Sequence, residues 1–439
     1  MSNGPAREPA RTPRRESGST GLSPWRFVVW FGVVALLGDV VYEGARSITG
    51  PLLAHLGASA LVVGLVTGIG ETAALALRLV SGPLVDRSGR FWDWTIAGYA
   101  VTMLSVPVLG LATALWLACS LVILERVGKA VRSPAKDTLL SHATASTGRG
   151  KGFAVHEALD QIGALIGPLV VAGVLAATQD NYTPALAVLA VPGAGVLVLV
   201  IWLRTRVPDP AAYEQASQPT PSRSRRLSPD EVPKLPGVFW AYAIFTGLTM
   251  AGFATFGVIS FHLVTRHLLT PAAVPVLYAT VMVIDAVAAL ATGWGYDRFG
   301  TKVLVTLPVV AAVVPALAFS DSVGLAVAGA LAWGTVLGIQ ESTLRATVAD
   351  LVGPQRRATA YGVFGAVVGI AAAVGGTLAG ALYGWSVPAL VIITTGVQAT
   401  ALVTLLLTMR SISGGRRSQG RTDVTPSTGP GDSTETEQR

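Results

Sequence analysis

Charged side chains are scarce in this sequence of 439 residues. Only 13% of the residues are Asp, Glu, Lys or Arg, against about 25% in soluble proteins, whereas 51% are hydrophobic. Cysteine is nearly absent as well, and the single residue Cys119 excludes an intramolecular disulfide framework. These two shortages exclude a soluble globular protein and a disulfide-stapled domain. The composition predicts an integral membrane protein.

Motifs for catalysis and cofactor binding are also missing. The sequence has no metal-ligand spacing, no nucleophile motif and no nucleotide-binding glycine loop. The segment Gly148-Arg149-Gly150-Lys151 contains a Gly-Lys pair without the context of a P-loop. We therefore expect no enzyme activity, no metal and no cofactor. Residues 1–24 lack an apolar core and predict a disordered tail, not a cleavable signal peptide.

Apolar runs long enough to cross a bilayer recur about twelve times. The ten-residue alternation of transmembrane strands is absent, so the predicted fold class is all-α. The predicted spans are 26–54, 58–81, 93–112, 114–137, 153–177, 184–204, 238–262, 272–293, 303–319, 323–346, 360–382 and 387–409.

Basic residues concentrate in every second loop between these spans. Clusters precede the first span and follow the second, fourth, sixth, eighth, tenth and twelfth. Because Lys and Arg are enriched in cytoplasmic loops, this pattern predicts cytoplasmic termini in a multi-pass protein of the cytoplasmic membrane. Residues 206–236 are rich in Pro, Ser and charge and predict a cytoplasmic linker. The expected organisation is two pseudo-symmetric six-helix bundles, 25–205 and 237–410, followed by a disordered tail, 411–439.

The two bundles repeat one motif at the same position. Gly82–Arg90 closes the second span, and Gly293–Lys302 closes the eighth with the same G-x-x-x-D-R-x-G skeleton. Two parallel six-helix repeats with a binding site between them are typical of transporters.

The chain resembles major facilitator superfamily transporters over roughly residues 25–410. The segment Gly82–Arg90 resembles the signature that this family carries in the loop between helices two and three. The resemblance implies two pseudo-symmetric six-helix bundles of the MFS fold. It also implies that charged and glycine residues at the repeated motif latch the halves in the outward-facing state. These gating residues are Gly82, Asp86, Arg87, Gly89, Arg90, Asp297 and Arg298.

Helix five resembles a family signature of exporters that work as antiporters. Gly163, Gly167 and Pro168 match its G-x-x-x-G-P pattern and imply close helix packing and a hinge. The helix-four signature of drug exporters matches only at Arg126, because Ala130 stands where the family has glycine.

One predicted helix carries an unusual charged face. Glu125, Lys129, Arg132 and Lys136 follow at i, i+4, i+7 and i+11 and share one side. Charges in hydrocarbon are costly, so this face predicts a translocation path, although Arg132 and Lys136 could instead snorkel to the interface. The predicted substrate-cavity residues are Glu71, Arg78, Glu125, Arg126, Lys129, Arg132 and Asp285.

The first span carries the predicted proton-coupling group. Asp39, Glu43 and Arg46 share one face at i, i+4 and i+7. A carboxyl desolvated in a helix bundle can load and release protons near neutral pH, which is what coupling requires. A static salt bridge among the three residues is the alternative.

Two further expectations concern the rest of the cavity. Arg126 or Lys129 is expected to pair with Glu157 or Asp160 within the first half. The second half is poorer in charge and is expected to supply an apolar wall that includes aromatic residues of helix seven.

The preferred functional hypothesis is a monomeric secondary transporter that exports a small organic molecule by antiport with protons. A proton-coupled symporter or a uniporter for an organic anion is the alternative, since Lys129 and Arg132 offer fixed positive charge. A non-transporting membrane sensor represents a different class. The expected partners are the substrate, protons and the lipid bilayer, without nucleic acid.

Overall fold

The fold is built from helices. The computed structural model describes residues 21–217, 235–353 and 356–422, and these residues form helices and no strand. The all-α fold class is therefore confirmed. Most of the predicted N-terminal tail and most of the predicted linker lie outside the described residues, whereas Pro24 at the end of that tail already begins α1.

The helices fall into two consecutive groups, which we call the first half and the second half. The first half comprises α1 (Pro24–His55), α2 (Ala60–Ala76), α3 (Arg78–Ser88), α4 (Phe91–Leu109), α5 (Leu115–Thr147), α6 (Arg149–Ala177), α7 (Tyr182–Ala187) and α8 (Ala190–Arg206), and α9 (Ala211–Ser217) follows it. The second half comprises α10 (Gly237–Ala251), α11 (Phe256–Thr265), α12 (Ala273–Phe299), a 3₁₀ segment (Gly300–Val305), α13 (Thr306–Ala318), α14 (Val323–Ile339), a π-helical turn (Gln340–Leu344), α15 (Arg345–Leu351), α16 (Arg357–Trp385) and α17 (Val387–Thr422).

Polar residues and glycine mark several helix ends. The hydroxyl of Ser23 accepts from the backbone N–H of Arg26, and Ser59 caps α2 in the same way through Val62. Gly89 ends α3 at a φ of 61°, a left-handed conformation that glycine adopts without steric cost. The predicted motif residue Gly89 therefore has a local structural role.

Nine helical stretches of the described chain are long and apolar enough to cross a membrane. One of them, Ala273–Ala318, has 46 residues and contains two predicted spans, separated at Gly300 with a φ of 62°. At 1.5 Å per residue its length is about twice the roughly 30 Å of a bilayer core. Helices α4 and α5 are not among the nine. The total of twelve spans stays a prediction.

Several predicted spans differ from the observed helices. The span 58–81 is interrupted at Leu77, 184–204 at Val188–Leu189 and 238–262 at 252–255, while 323–346 contains the π-helical turn. Hydropathy reports the length of an apolar run and not such local breaks. Helix α17 continues to Thr422, so the predicted tail 411–439 begins within a helix.

The core consists of two large buried clusters. One combines side chains between Phe27 and Tyr213 with Phe261, and the other runs from Phe239 to Leu405. Apart from Phe261, the first cluster lies before or within the predicted linker, which contains Val207 and Tyr213, and the second cluster lies after it. The proposed domain boundaries themselves stay a prediction.

The halves pack closely at one end of the molecule. A Cβ atom built on Gly64 of α2 would overlap the carbonyl oxygen of Gly376 on α16, and one on Gly380 would overlap the carbonyl of Ala60. Such contacts between small residues let membrane helices approach closely. We call this region the closed end. On the way towards the other end, Thr72 donates to the carbonyl of Gly369 at 2.6 Å.

At the opposite end the halves enclose a cavity. Leu79 still touches Gly362, but Leu84 beyond it is exposed. The cavity reaches Leu79 and Tyr361, both more than a third exposed. We call this region the open end.

Candidate substrate cavity and coupling network

The cavity between the halves has a volume of about 670 Å³, within the roughly 300–1,000 Å³ of small-molecule sites. Helices α1, α2, α3 and α5 line it from the first half. From the second half it is lined by α10, α11, α14, the π-helical turn, α15 and α16. Its charged lining residues are Arg46, Glu71, Arg78, Arg126, Lys129, Glu341 and Arg345.

A network of ion pairs joins three helices of the first half. Arg46 on α1 lies 3.4 Å from Glu43 on the same helix and 3.2 Å from Glu71 on α2. Glu71 also lies 3.5 Å from Arg126 on α5, which is 3.2 Å from Glu125. The predicted coupling pair Glu43–Arg46 and the predicted cavity residues Glu71 and Arg126 therefore belong to one electrostatic unit.

This network extends to the second half through Tyr278 on α12. The Tyr278 hydroxyl donates to Oε2 of Glu43 at 2.5 Å, and both residues are buried. Sequence analysis did not single out Tyr278. A usable signal exists, because a phenolic hydroxyl within an apolar helix usually finds a hydrogen-bond partner.

Four of the seven predicted cavity residues line the cavity. They are Glu71, Arg78, Arg126 and Lys129. The Lys129 ammonium lies 3.7 Å from the centre of the Tyr42 ring, and the Arg126 guanidinium lies 4.5 Å from the same centre. Two cations thus share one aromatic ring beside the ion-pair network.

Arg132 points away from this cavity. It donates to the hydroxyl of Thr102 at 3.0 Å and lies 4.6 Å from the centre of the Tyr99 ring, both on α4. The snorkelling alternative does not describe Arg132, which is 5% exposed. Lys136 lies 3.2 Å from His156 on α6.

Glu125 and Asp285 are buried outside the main cavity. Glu125 borders a second, much smaller pocket between α1, α4 and α5. One carboxylate oxygen of Asp285 and one of Glu125 make no hydrogen bond to the described residues. Any role of these two residues in transport stays a prediction.

Asp39, the third member of the predicted coupling set, is separate from the ion-pair network. Among the described residues it has no salt bridge or side-chain hydrogen bond. The charges of Asp160 and Lys129 act on it at longer range. Glu43 is therefore the better-connected carboxyl of α1.

The expected pairing of Arg126 or Lys129 with Glu157 or Asp160 is wrong. Arg126 pairs instead with Glu71 and its neighbour Glu125. The prediction placed the counter-charge on the fifth predicted span, which is α6 in the structure. Glu71 on α2 supplies it instead. Glu157 is exposed.

The charged residues among the predicted gating residues are exposed in this conformation. Asp86, Arg87 and Arg90 are exposed at the open end, where Arg90 pairs with Asp93 at 2.7 Å. Gly82 lies in open space, and both Asp297 and Arg298 are exposed. Within the described residues no ion pair links this motif to the second half. A latch between the halves stays a prediction.

The helix-five glycines contact α1 directly. A Cβ atom on Gly163 would overlap the carbonyl oxygen of Leu36, and one on Gly167 would overlap that of Val40. Pro168 lies inside α6, which runs without interruption from Arg149 to Ala177. The glycines thus bring α6 close to the helix that carries Glu43, while their role as a hinge stays a prediction.

The second half supplies an aromatic wall. Phe253 stacks on Trp333 with ring centres 5.7 Å apart, and Phe256 lies 5.6 Å from Trp333 and 4.6 Å from Tyr278. Phe253 lies in the break between α10 and α11, Phe256 begins α11, and both residues line the cavity. Sequence analysis expected aromatic residues of the seventh predicted span, which is α10 and α11 in the structure, in an apolar wall, but it missed Trp333. Polar residues of the π-helical turn, above all Gln340, interrupt this wall.

Comparisons with known proteins place this geometry in a family. A sequence model described as Major Facilitator Superfamily matches residues 31–339 and 263–431. A protein of Mycobacterium tuberculosis without a functional name is 60% identical over 384 residues, which cover 87% of this chain and 92% of that protein. The multidrug resistance protein MdtH of Photorhabdus laumondii is 28% identical over 286 residues, covering 63% and 64%.

A solved structure supports the fold. A mutant form of the nucleoside transporter NupG superposes with a TM-score of 0.71 at 13% identity, covering 87% of this chain and 99% of that one. At this identity the likeness concerns the fold alone. With the family match across both halves, the chain belongs to the Major Facilitator Superfamily and is a multi-pass membrane transporter.

Proposed function

We propose that the protein is a proton-coupled secondary transporter of a small organic molecule, working by alternating access, with Glu43 as the coupling carboxyl. The observation that carries this proposal is the position of Glu43. It accepts from Tyr278 of the second half and pairs with Arg46 of the first half. A change of charge on this one side chain therefore acts on the contact between the halves.

Protonation of Glu43 would weaken both contacts. Hydrogen bonds to an ionised acceptor are roughly twice as strong as neutral ones, so a neutral carboxyl holds Tyr278 and Arg46 less well. Ionised Glu43 then stabilises the present conformation. A proton that Glu43 binds in another conformation is released when the protein returns to this one.

Alternating access is supported by the packing of the two ends. The glycine contacts close one end, while the cavity reaches the other. In the predicted orientation, with both termini cytoplasmic, the open end faces the cytoplasm. The outward-facing state would open the Gly64–Gly376 contact and bring the predicted latch residues together.

Export in exchange for protons is the first candidate mode. It is supported by the G-x-x-x-G-P pattern, whose two glycines pack against α1, and by similarity to a relative named as a multidrug resistance protein. Symport is the second candidate mode. It is favoured because Arg46 and Arg126 are both paired with Glu71, so that a proton on this carboxylate would remove one counter-charge from each cation and favour an anionic substrate.

The proposal is tested by measuring how pH changes the opening of the cavity. Spin labels at cysteines replacing the exposed Leu84 and Trp294, in a Cys119→Ala background, report the distance between the halves at the open end. We expect a shorter mean distance at pH 6 than at pH 8, and no such difference in Glu43→Gln.

Asp321→Asn is the matched control, because Asp321 is an exposed carboxylate that pairs with Arg266 at the protein surface. It should retain the response to pH. A pH-dependent distance that persists in Glu43→Gln would refute the assignment of the coupling group. A distance that is insensitive to pH in the unsubstituted protein would refute proton coupling itself.

A further inference from the structure

We infer that the cavity binds an amphipathic organic anion, with its anionic group at Lys129 and Arg126 and its apolar ring system against Phe253 and Trp333. This inference rests on the proposed transport function and adds the class of substrate. It follows from three independent features of the cavity, namely its charge, its unpaired donors and its aromatic wall.

The cavity carries an excess of positive charge. Five basic residues line it against two acidic residues, Glu71 and Glu341. Glu71 is already engaged with Arg46 and Arg126. The cation of Lys129 has no salt bridge within the described residues and lies instead over the Tyr42 ring, beside Arg126. An anion bound here would neutralise like charges that now adjoin one another.

Two residues that line the cavity, one from each half, carry buried hydrogen-bond donors that have no acceptor among the described residues. Nε and Nη1 of Arg126 and Nε2 of Gln340 make no hydrogen bond to the described residues, although the two residues are only 4% and 8% exposed. The carboxylates near Arg126 lie within ion-pair distance but outside hydrogen-bonding geometry. Buried donors normally find acceptors, so donors from both halves that line one cavity indicate an acceptor-rich ligand group.

The opposite side of the cavity is apolar and aromatic. The stacked rings of Phe253 and Trp333 belong to the second half, and the indole N–H of Trp333 is already bonded to the carbonyl of Ala254 at 2.8 Å. Trp333 therefore offers ring surface and no free donor. A ligand that touches both sides needs a charged end and an apolar body, which excludes inorganic anions and simple sugars as the best-fitting class.

A matched set of three probes separates charge from shape. Naphthalenesulfonate, naphthalenesulfonamide and naphthylmethylammonium share one ring system and differ in charge. Their binding to the purified full-length protein in detergent, corrected for empty micelles, is measured by calorimetry. We expect the sulfonate to bind about tenfold tighter than the neutral and cationic probes. Equal or tighter binding of either other probe would overturn the inference.

Two substitutions locate the site. Lys129→Gln should weaken sulfonate binding roughly tenfold, and Phe253→Ala should weaken the binding of all three probes. Lys151→Gln, at an exposed lysine outside the cavity, is the control and should bind as the unsubstituted protein does. Unchanged sulfonate affinity in a folded Lys129→Gln protein would contradict the site.

If Lys129→Gln does not fold, competition in the unsubstituted protein gives the same answer. Inorganic sulfate should displace naphthalenesulfonate at concentrations where sodium chloride of equal ionic strength does not. Failure of sulfate to compete would overturn the anionic subsite. Dodecanoate then distinguishes the source of the ligand. If dodecanoate displaces naphthalenesulfonate, the ligand is a lipid-derived anion. If dodecanoate does not displace it, the ligand is a water-soluble ring anion. Both results retain the anionic class.

Failure of this inference is distinguishable from failure of the proposed coupling. Binding of the sulfonate without a pH-dependent distance between the labels at 84 and 294 would leave the substrate class intact and overturn proton coupling. A pH-dependent distance between these labels in a protein that binds none of the three probes would overturn the substrate class alone.

Discussion

The hydroxyl of Tyr278 lies 2.5 Å from Oε2 of Glu43, and this buried hydrogen bond connects the two halves. Glu43 is 7% exposed and Tyr278 is fully buried, so water competes little with this contact. Arg46 contacts the other oxygen of the same carboxylate, so a change in the charge of Glu43 alters contacts with both halves.

Removal of the Tyr278 hydroxyl should mimic protonation of Glu43. Tyr278→Phe keeps the ring that packs on Phe256 but loses a hydrogen bond to a charged group, worth roughly 1.5–3 kcal/mol. We expect the open-end distance at pH 8 to shift towards its pH 6 value. Spin-label distances measure the shift. Tyr296→Phe is the control, because its hydroxyl bonds to Asp350 within the second half.

Substitution of Gly64 should prevent closure of the closed end. Gly64→Val would place side-chain atoms on the backbone of Gly376, so the present conformation should lose population. Labels at cysteines replacing Leu61 and Trp385 should report a longer distance at the closed end. Gly173→Val, at a glycine with open space around it, should leave that distance unchanged. An unchanged distance in Gly64→Val would mean that this contact does not control closure.

Substitution of Glu71 distinguishes the two modes of coupling. If a proton on Glu71 removes one counter-charge from Arg46 and Arg126, naphthalenesulfonate binds more tightly at pH 6 than at pH 8, as symport requires. Glu71→Gln, which removes the same negative charge, should then bind the sulfonate about tenfold more tightly at both pH values than the unsubstituted protein does at pH 8. Tighter binding at pH 8 would indicate competition with protons and favour antiport. Calorimetry at the two pH values measures the difference.

Loss of Arg126 should destabilise the fold, because Glu71 and the buried Glu125 would both lose this cation. Removing one member of a buried ion pair costs about 3–5 kcal/mol, and the partial exposure of Glu71 reduces this amount. Arg126→Gln should therefore melt earlier than the unsubstituted protein. The double variant Arg126→Gln, Glu71→Gln should recover part of the loss. A double variant that melts as early as the sum of both single losses would show that the two residues do not interact.

The sequence predicted the charged residues well and their neighbours less well. Helical periodicity placed Glu43 with Arg46 and singled out Lys129 on α5, while the helix-four signature pointed to Arg126, and all four belong to the cavity or its network. The period alone does not say which helix a face meets. Over three residues of α5, less than one helical turn, the surroundings change from the cavity at Lys129 to α4 at Arg132.

The reason for this change is visible in the packing of α4 and α5. A Cβ atom on Gly98 would crowd the backbone of Arg132 and Gly128, so the two helices touch there and enclose the Arg132 side chain. Tyr278 and Trp333 were missed for a related cause. Each is an aromatic residue in an otherwise largely apolar helix, and its role arises from a contact with residues distant in sequence.

The protonation of Glu43 itself is the most direct test of this account. Infrared difference spectra recorded across a pH titration, with Glu43→Gln as the reference, isolate the carbonyl band of the protonated Glu43 side chain. The account predicts that this band and the distance between the labels at 84 and 294 titrate with the same midpoint. A distance that changes with pH while the Glu43 band does not would contradict the central claim.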